Sequence, residues 1–466
     1  MADALKGGEN SRAAYGKAAA LALLAASLLV MFARPAWTIE EASWYALIMA
    51  PLAMVCVGMV IPGGFWSIPQ MSLLVLIVFH CGALIEVLIS ETSQFPGNLH
   101  MRGMPESVEA VIVSTGAIMA FAAGAVMLHK DDSTIRLDGL NETFRKCLSD
   151  VAAVVCILGC VMWLRFAFEA DLGIGASYAS YLKAVDGTAV ASFYYLIALS
   201  LPLALISYKR SLARIAVLFF LAFAIVGFPL GLRGEVLFTG VVALCVVGMQ
   251  RKMPGWRVTV AAIALLLIPI AVVSQTRQEG GAAGGVSTDP MQALYEMGGS
   301  VRVVSEVVRW SESNGVPLAM GETYVTPSVH TFRRFVLRTV DFDASTDQGY
   351  MATRIINQFG YIGSSIVAEA YLNFGRWAAP LMLAMWGALL SWLTRFTDRS
   401  VARFAVAVVG ATVFQQLVRN AFESAPVLIL YGFVIVLMAW VWSRVVGRSE
   451  TDELETAQDA QAEHAP

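Results

Sequence analysis

Charge is scarce in this chain. Only 14% of its 466 residues are Asp, Glu, Lys or Arg, against about 25% in a soluble domain. That shortfall excludes a protein whose whole surface faces water. The formal net charge of −3 carries no basic excess, and nucleic acid is not an expected partner. There are six cysteines: Cys56, Cys81, Cys147, Cys156, Cys160 and Cys245. All fall in or beside apolar blocks, and no pair has C-x-x-C spacing. A disulfide framework and a thiolate metal site are excluded on that ground, leaving small, buried, apolar cysteines as the reading. No metal-ligand spacing, phosphate-cradling glycine loop or Ser-His-Asp cue is present. Neither a metal nor a cofactor is expected, and with no nucleotide-binding domain ATP is not the expected energy source. Internal repeats are missing too, which removes the usual support for an inverted-repeat transporter.

What the chain does have is apolar sequence. It is 58% hydrophobic with a mean hydropathy of +0.67. The surplus falls into separate blocks of about 17 to 23 residues, the length a helix needs to cross a bilayer. Blocks lie at about 18–36, 43–61, 70–90, 109–128, 148–168, 190–207, 213–231, 235–250, 256–274, 376–394, 401–418 and 424–443. The first block has no small-residue cleavage site after it and reads as a retained helix. The expected fold is therefore all-α, a polytopic integral membrane protein of about 12 transmembrane helices.

Basic residues orient these helices. With the N-terminus inside, the inner segments collect Lys17, Lys130, Arg145, Lys146, Lys209, Arg210, Arg251, Lys252, Arg395 and Arg403, among others. Short outer loops hold only Arg34, Arg102, Lys183, Arg233 and Arg419. The positive-inside rule then places both termini in the cytoplasm. The expected layout is a cytoplasmic N-terminus over 1–17, nine helices over 18–275, one large extracytoplasmic loop over 276–375, three helices over 376–443, and an acidic tail over 444–466. That tail has no aromatic beyond Glu450 and reads as disordered. Within the loop, an amphipathic helix is expected from about Pro290 to Trp310. The apolar run Gly360–Gly375 is too short to span, so a re-entrant or interfacial helix is expected there.

Candidate chemistry gathers at the outer face. From Thr276 to Arg376 there are eight arginines and no lysine. The guanidinium forks onto phosphate oxygens, so a pyrophosphate ligand would explain the choice; pairing with the ten acidic residues of the same stretch is the plainer alternative. Arg233, Arg277, Arg354 and Arg419 are the candidate pyrophosphate-binding residues. Arg233 stands between Gly231 and Gly234 at a helix boundary; Arg277 and Arg419 mark two further boundaries. Glu369, set within an apolar run, is the first candidate for a general base, since burial can tune a carboxyl upward. Glu296 and Glu235 are the other candidate catalytic carboxylates. The remaining membrane-embedded charges, Glu86 and Arg165, are expected to pair with each other. His330, the only histidine of the loop, reads as polar filling.

Four segments carry a family resemblance. Gly231-Leu-Arg-Gly-Glu235, Glu296-Met-Gly-Gly-Ser300, Gly321-Glu-Thr-Tyr324 and Gly360-Tyr-Ile-Gly-Ser-Ser-Ile-Val-Ala-Glu-Ala-Tyr-Leu-Asn-Phe-Gly375 resemble those of O-antigen polysaccharide polymerases of the Wzy type, over roughly residues 210 to 420. The resemblance implies a membrane glycosyltransferase without a metal. Such an enzyme moves a growing glycan from its polyprenyl-pyrophosphate carrier onto the next lipid-linked repeat unit, at the outer face of the bacterial inner membrane. The implied partners are undecaprenyl-pyrophosphate-linked glycans and the lipid bilayer, with a chain-length regulator and a flippase as protein partners. Tyr324, Tyr371 and Asn373, inside the resembling segments, are the candidate substrate-binding residues. An O-antigen ligase, which uses the same donor with a different acceptor, is the first alternative; a flippase or transporter is the second.

The charge distribution makes a direct topological prediction. In a Ser287→Cys variant an impermeant thiol reagent added outside should label the new thiol, and in a Thr397→Cys variant it should not. The opposite pattern would invert the topology.

Overall fold

In the computed structural model of the chain, the described residues are 2–61, 64–89, 101–129, 142–172, 178–185, 190–251, 253–255, 257, 290–338, 347–360, 362–395 and 400–463. Among them there are helices and turns but no strand. In chain order the helices are α1 (Ala2–Ala33), α2 (Ile39–Val60), α3 (Ile68–Ile89), α4 (Pro105–Met127), α5 (Glu142–Glu169), α6 (Tyr178–Val185), α7 (Val190–Ala204), α8 (Ser211–Gly227) and α9 (Arg233–Gly248). They continue as α10 (Pro290–Met297), α11 (Ser300–Glu312), α12 (Glu322–Phe332), α13 (Met351–Phe359), α14 (Ile366–Phe374), α15 (Ala378–Arg395), α16 (Val401–Leu417) and α17 (Ser424–Glu463).

A helix stands at each expected apolar block except 256–274, which lies outside the described residues. Among the described residues six helices are long and apolar enough to cross a membrane by length and composition, in α1 to α5 and in α17 up to Val446. Four shorter apolar helices, in and around α7, α8, α15 and α16, accompany them. Their local signals are ordinary. Thr38 opens α2 with a capping box: its hydroxyl accepts from the Glu41 amide at 3.3 Å, and the Glu41 carboxylate accepts from the Thr38 amide at 2.8 Å. Pro105 starts α4, where its missing N–H costs nothing.

The most deeply buried of the six long helices is α4. It packs against α1, α2, α11 and α15. Its contact with α15 is backbone on backbone: a Cβ on Gly124 would stand 2.1 Å from the Ala384 carbonyl oxygen, and one on Gly387 would stand 2.1 Å from that of Phe121. Small residues let apolar helices approach this closely, and dispersion then replaces the hydrophobic drive that lipid cannot supply. Around this centre the outer helices turn Leu29, Phe32, Ile48, Leu158, Leu218, Met385 and Phe433 outward. An exposed apolar belt of this extent is solvated by lipid chains, not by water.

Several expectations change in the structure. The amphipathic helix read over Pro290–Trp310 is two helices, α10 and α11, broken at Gly298-Gly299. The break has a steric cause. α10 lies on α3 so closely that a Cβ on Gly298 would be 1.9 Å from the Ala83 nitrogen, and one on Gly82 would be 2.4 Å from the Leu294 carbonyl oxygen. Then α11 buries Val301, Val304, Val307 and Val308 against α3, α4 and α14. Of the described residues in the run Gly360–Gly375, only the nine of α14 are helical; at 1.5 Å per residue they reach about 13 Å, far short of a bilayer. The tail, expected to be disordered, continues α17 without a break to Glu463. Its Ala, Glu and Gln residues are good helix formers, and a helix already nucleated extends at little cost. Arg165 pairs with Glu169 at 2.8 Å, one turn along its own helix, and not with Glu86 of α3. All six cysteines are buried and free.

The Gly82–Gly298 contact should be intolerant of bulk. A Gly298→Val variant has to push α10 off α3, and it should lose on the order of 1–3 kcal/mol as an overpacked contact. Gly240→Ala, where a Cβ meets nothing within 4 Å, should unfold at the wild-type temperature. Thermal unfolding of the two purified variants, with protease cutting of the 290–312 segment as the local readout, checks this.

Candidate active site

One cavity of about 330 Å³ collects most of the charges singled out in the sequence. Its floor is the α8–α9 turn, where Gly231 adopts φ +92° and the Leu232 amide bonds back to the Gly227 carbonyl at 3.0 Å. That turn delivers Arg233, Gly234 and Glu235 at the first turn of α9. A second wall is the turn between α16 and α17, which delivers Arg419, Asn420 and Glu423. α10 contributes Glu296 and Met297, α7 contributes Tyr194 and Tyr195, and the non-helical segment Ile362–Ser364 closes one side. The Arg419 guanidinium lies over the Phe79 ring, 5.7 Å from its centre, and the Arg419 carbonyl accepts from the Ser364 amide at 3.1 Å. Two arginines and three carboxylates therefore share one wall system at the ends of apolar helices.

Their roles separate by contact. Arg233 is largely buried and forms a direct ion pair with Glu296. Glu296 is thereby committed to a cation, which lowers its value as a base. Glu235 and Glu423 line the cavity beside them. Burial pushes the Glu423 carboxyl up to about 7, so it exchanges a proton readily near neutrality.

Glu369 stands behind this wall and is not part of the lining. It is fully buried in the first turn of α14. One carboxyl oxygen accepts from the Thr323 hydroxyl at 2.7 Å, and the other accepts from the Phe422 amide at 2.8 Å. Asn373, one turn on, donates to Thr323 Oγ1 at 2.7 Å and to the Glu369 carbonyl at 2.8 Å, and accepts from the Gly321 amide at 2.9 Å. Burial lifts the Glu369 carboxyl to about 8; the bonds from Thr323 and Phe422 oppose the rise, and neighbouring Glu423 adds to it. The start of α14 is fixed from the other side. Ser365 caps it, accepting from the Val367 amide at 3.2 Å. The Ser365 hydroxyl also lies 2.8 Å from His80 Nε2, while His80 Nδ1 lies 2.9 Å from the Leu76 carbonyl. A carbonyl only accepts, so Nδ1 carries the hydrogen, and in the neutral ring Nε2 accepts from Ser365.

The other residues read from the sequence divide. Tyr324 joins the Glu369 cluster, with its ring against Phe374 and Phe422; burial, then Glu369, raises its hydroxyl. Tyr371 points elsewhere and donates to Glu312 at 2.7 Å. Arg354 bonds to Glu322 and to the Gln348 carbonyl, binding α13 to α12. Arg309 pairs with Glu306 and Arg376 with Glu109, so three of the eight loop arginines serve structural ion pairs. Arg277 lies outside the described residues. Sequence reasoning passed over Glu423, Tyr194 and Tyr195. Glu423 had a usable signal, since it follows Arg419-Asn420 at the foot of the last apolar block; two tyrosines in an apolar helix had none.

A sequence model of the O-antigen polysaccharide polymerase Wzy matches residues 22–448. The chain belongs to that family. No curated protein and no solved structure matches it. Wzy proteins are polysaccharide polymerases, so the chain is a multi-pass membrane protein with a polymerase role. The match takes in every wall of the cavity as well as the Glu369 cluster.

The cluster makes a pH prediction. Folding raises the Glu369 carboxyl from 4.5 to about 8, so the folded state binds more protons than the unfolded state between those values. Stability must then fall as pH climbs through that window. Thermal midpoints of the purified protein should drop from pH 5 to pH 8.5, and Glu369→Gln should flatten the part nearest pH 8. Glu369→Ala should be destabilised at every pH, because it leaves the Phe422 amide buried without a partner, at about 1–3 kcal/mol.

Proposed function

We propose that this Wzy-family polymerase joins lipid-linked glycans at the cavity between Arg233 and Arg419. The observation that carries this reading is the convergence of two arginines, from separate helix ends, with the carboxylates Glu235 and Glu423 on one cavity. The donor is a glycan on a polyprenyl pyrophosphate, and the acceptor is a hydroxyl of the next lipid-linked repeat unit. In the transfer the acceptor oxygen forms a bond to the anomeric carbon while the bond from that carbon to the pyrophosphate oxygen breaks. The departing lipid pyrophosphate takes the electron pair, and the acceptor proton passes to a carboxylate. Arg419, and Arg233 within its pair with Glu296, stabilise the growing charge on the leaving group, where preorganised cations act most strongly. Arg277 belongs to the same proposed set by its sequence position, while the bonds of Arg354 suit it to holding the loop.

The base is best assigned to Glu423, which faces the cavity and titrates near neutrality. Glu369, the choice from sequence, is held protonated at neutral pH with both oxygens engaged. Its fitting role is to position the Phe422-Glu423 turn. Tyr324 and Asn373 support that turn, and Tyr194 and Tyr195 offer rings for a sugar to pack on. The reaction sits at the outer face of the inner membrane, on the orientation given by the basic residues.

The test is polymerisation of purified repeat-unit lipid, measured per folded molecule. Glu423→Gln should lower the rate by about 10²- to 10⁴-fold, the usual contribution of a positioned base. Arg419→Lys keeps the charge but loses the fork and should be clearly impaired, with Arg419→Ala worse. Glu369→Gln should keep far more activity per folded molecule than Glu423→Gln. The reverse order would return the base to Glu369, and near-normal rates in all of these variants would remove the cavity from the reaction.

A further inference from the structure

We infer that a second site, at the opposite end of the bundle, binds the head group of an anionic phospholipid. α9 carries the catalytic cavity at Arg233 and ends at Gly248, about 24 Å away along a 16-residue helix. Beside that far end lies a cavity of about 370 Å³, walled by the start of α5 and by the turns after α7 and α9. Arg145, Lys146, Lys209 and Arg210 line it, and Glu142 is the only carboxylate among the described lining residues. Arg251 adds a fifth cation, with its guanidinium 5.8 Å from the centre of the Tyr208 ring in the same wall.

The carboxylates nearby are already engaged. Glu142 accepts from Arg145 at 2.6 Å and meets Lys146 at 3.5 Å. Asp150 takes both forks of Arg210, at 2.7 and 2.6 Å. Lys209 and Arg251 have no carboxylate partner among the described residues. Arg145 Nε and the Ser207 hydroxyl are buried without a hydrogen-bond partner among those residues. Unsatisfied donors beside surplus positive charge fit a ligand rich in acceptors and negative charge, such as a phosphate group.

The surroundings choose a lipid over free phosphate. Ser211 and Leu212, which follow Arg210, start α8. From there Arg214, Leu218, Leu221 and Ile225 are all exposed. Their spacing of four, three and four places them on one stripe of the helix. A cation at the pocket end thus continues into an apolar track running away from it. A phosphodiester head in the pocket would lay its acyl chains along this track. On the orientation read from the basic residues, this end faces the cytoplasm, where juxtamembrane cations attract anionic lipid at about fivefold in affinity per residue.

Native mass spectrometry of the full-length protein, released from mixed micelles of phosphatidylglycerol and phosphatidylcholine, tests this. Phosphatidylglycerol should be retained at least ~5-fold over phosphatidylcholine. A Lys209→Gln/Arg251→Gln variant should lose that preference. Both side chains are exposed, so the fold should survive, with a thermal midpoint in phosphatidylcholine alone as the check on folding. Equal retention of the two lipids, or a preference unchanged in the folded double variant, overturns the inference. So does full displacement of phosphatidylglycerol by millimolar inorganic phosphate, which would mark a site for the free ion. If the double variant does not fold, Lys209→Gln alone decides by the same readout.

Discussion

Burying a carboxyl group is costly, and in this structure the group that bears that cost also fixes the site. Glu369 is fully enclosed, and its two oxygens reach in different directions: to Thr323 at the start of α12 and to the Phe422 amide before α17. Three stretches far apart in sequence are held by one side chain. A buried polar group left without partners costs on the order of kilocalories, so each stretch is held in place by the need to satisfy the others. Asn373 repeats the arrangement one turn later, bonding to Thr323 and to the Gly321 amide. The cavity-lining residues Arg419 and Glu423 lie on the turn that this cluster grips.

The second constraint is contact between backbones. Glu296 reaches Arg233 only because Gly82 and Gly298 allow α10 to lie directly on α3. Electrostatics then completes what packing begins, since the ion pair fastens α10 to the head of α9. The same device, glycine against carbonyl, seats α15 on α4. In a molecule whose outer surface is apolar, such contacts and buried polar bonds supply the specificity that burial alone cannot.

Much of this was legible in the sequence, and the limits have physical causes. Apolar block length located the helices, because bilayer thickness fixes that length. It could not separate spans from shorter helices such as α8, whose 17 residues sit near the boundary. Arg233, Glu235 and Arg419 were readable as charges stranded at helix ends, and Glu296 as a carboxylate on an amphipathic loop helix; the four do share a cavity. Glu369 was readable as a carboxylate in an apolar run, but its partners were not. Thr323 and Phe422 lie 46 and 53 residues away, and a backbone amide leaves no mark in a sequence. Arg354 was open to two readings, phosphate ligand or ion-pair partner, because composition cannot tell a free guanidinium from one paired with Glu322. The acidic, polar tail reads as disordered from composition, while in the structure α17 runs through it to Glu463, its Ala, Glu and Gln residues favouring helix once a helix precedes them.

The turn that carries Arg419 and Glu423 has a consequence for how the protein is made. Ribosomes deliver the chain from its N-terminus, and this turn emerges more than 300 residues after Gly82. Until it arrives, Glu369 lacks the Phe422 amide, and the cavity lacks the wall that carries Arg419. A chain cut short before residue 419 therefore holds a half-satisfied acid in its interior and no complete cavity.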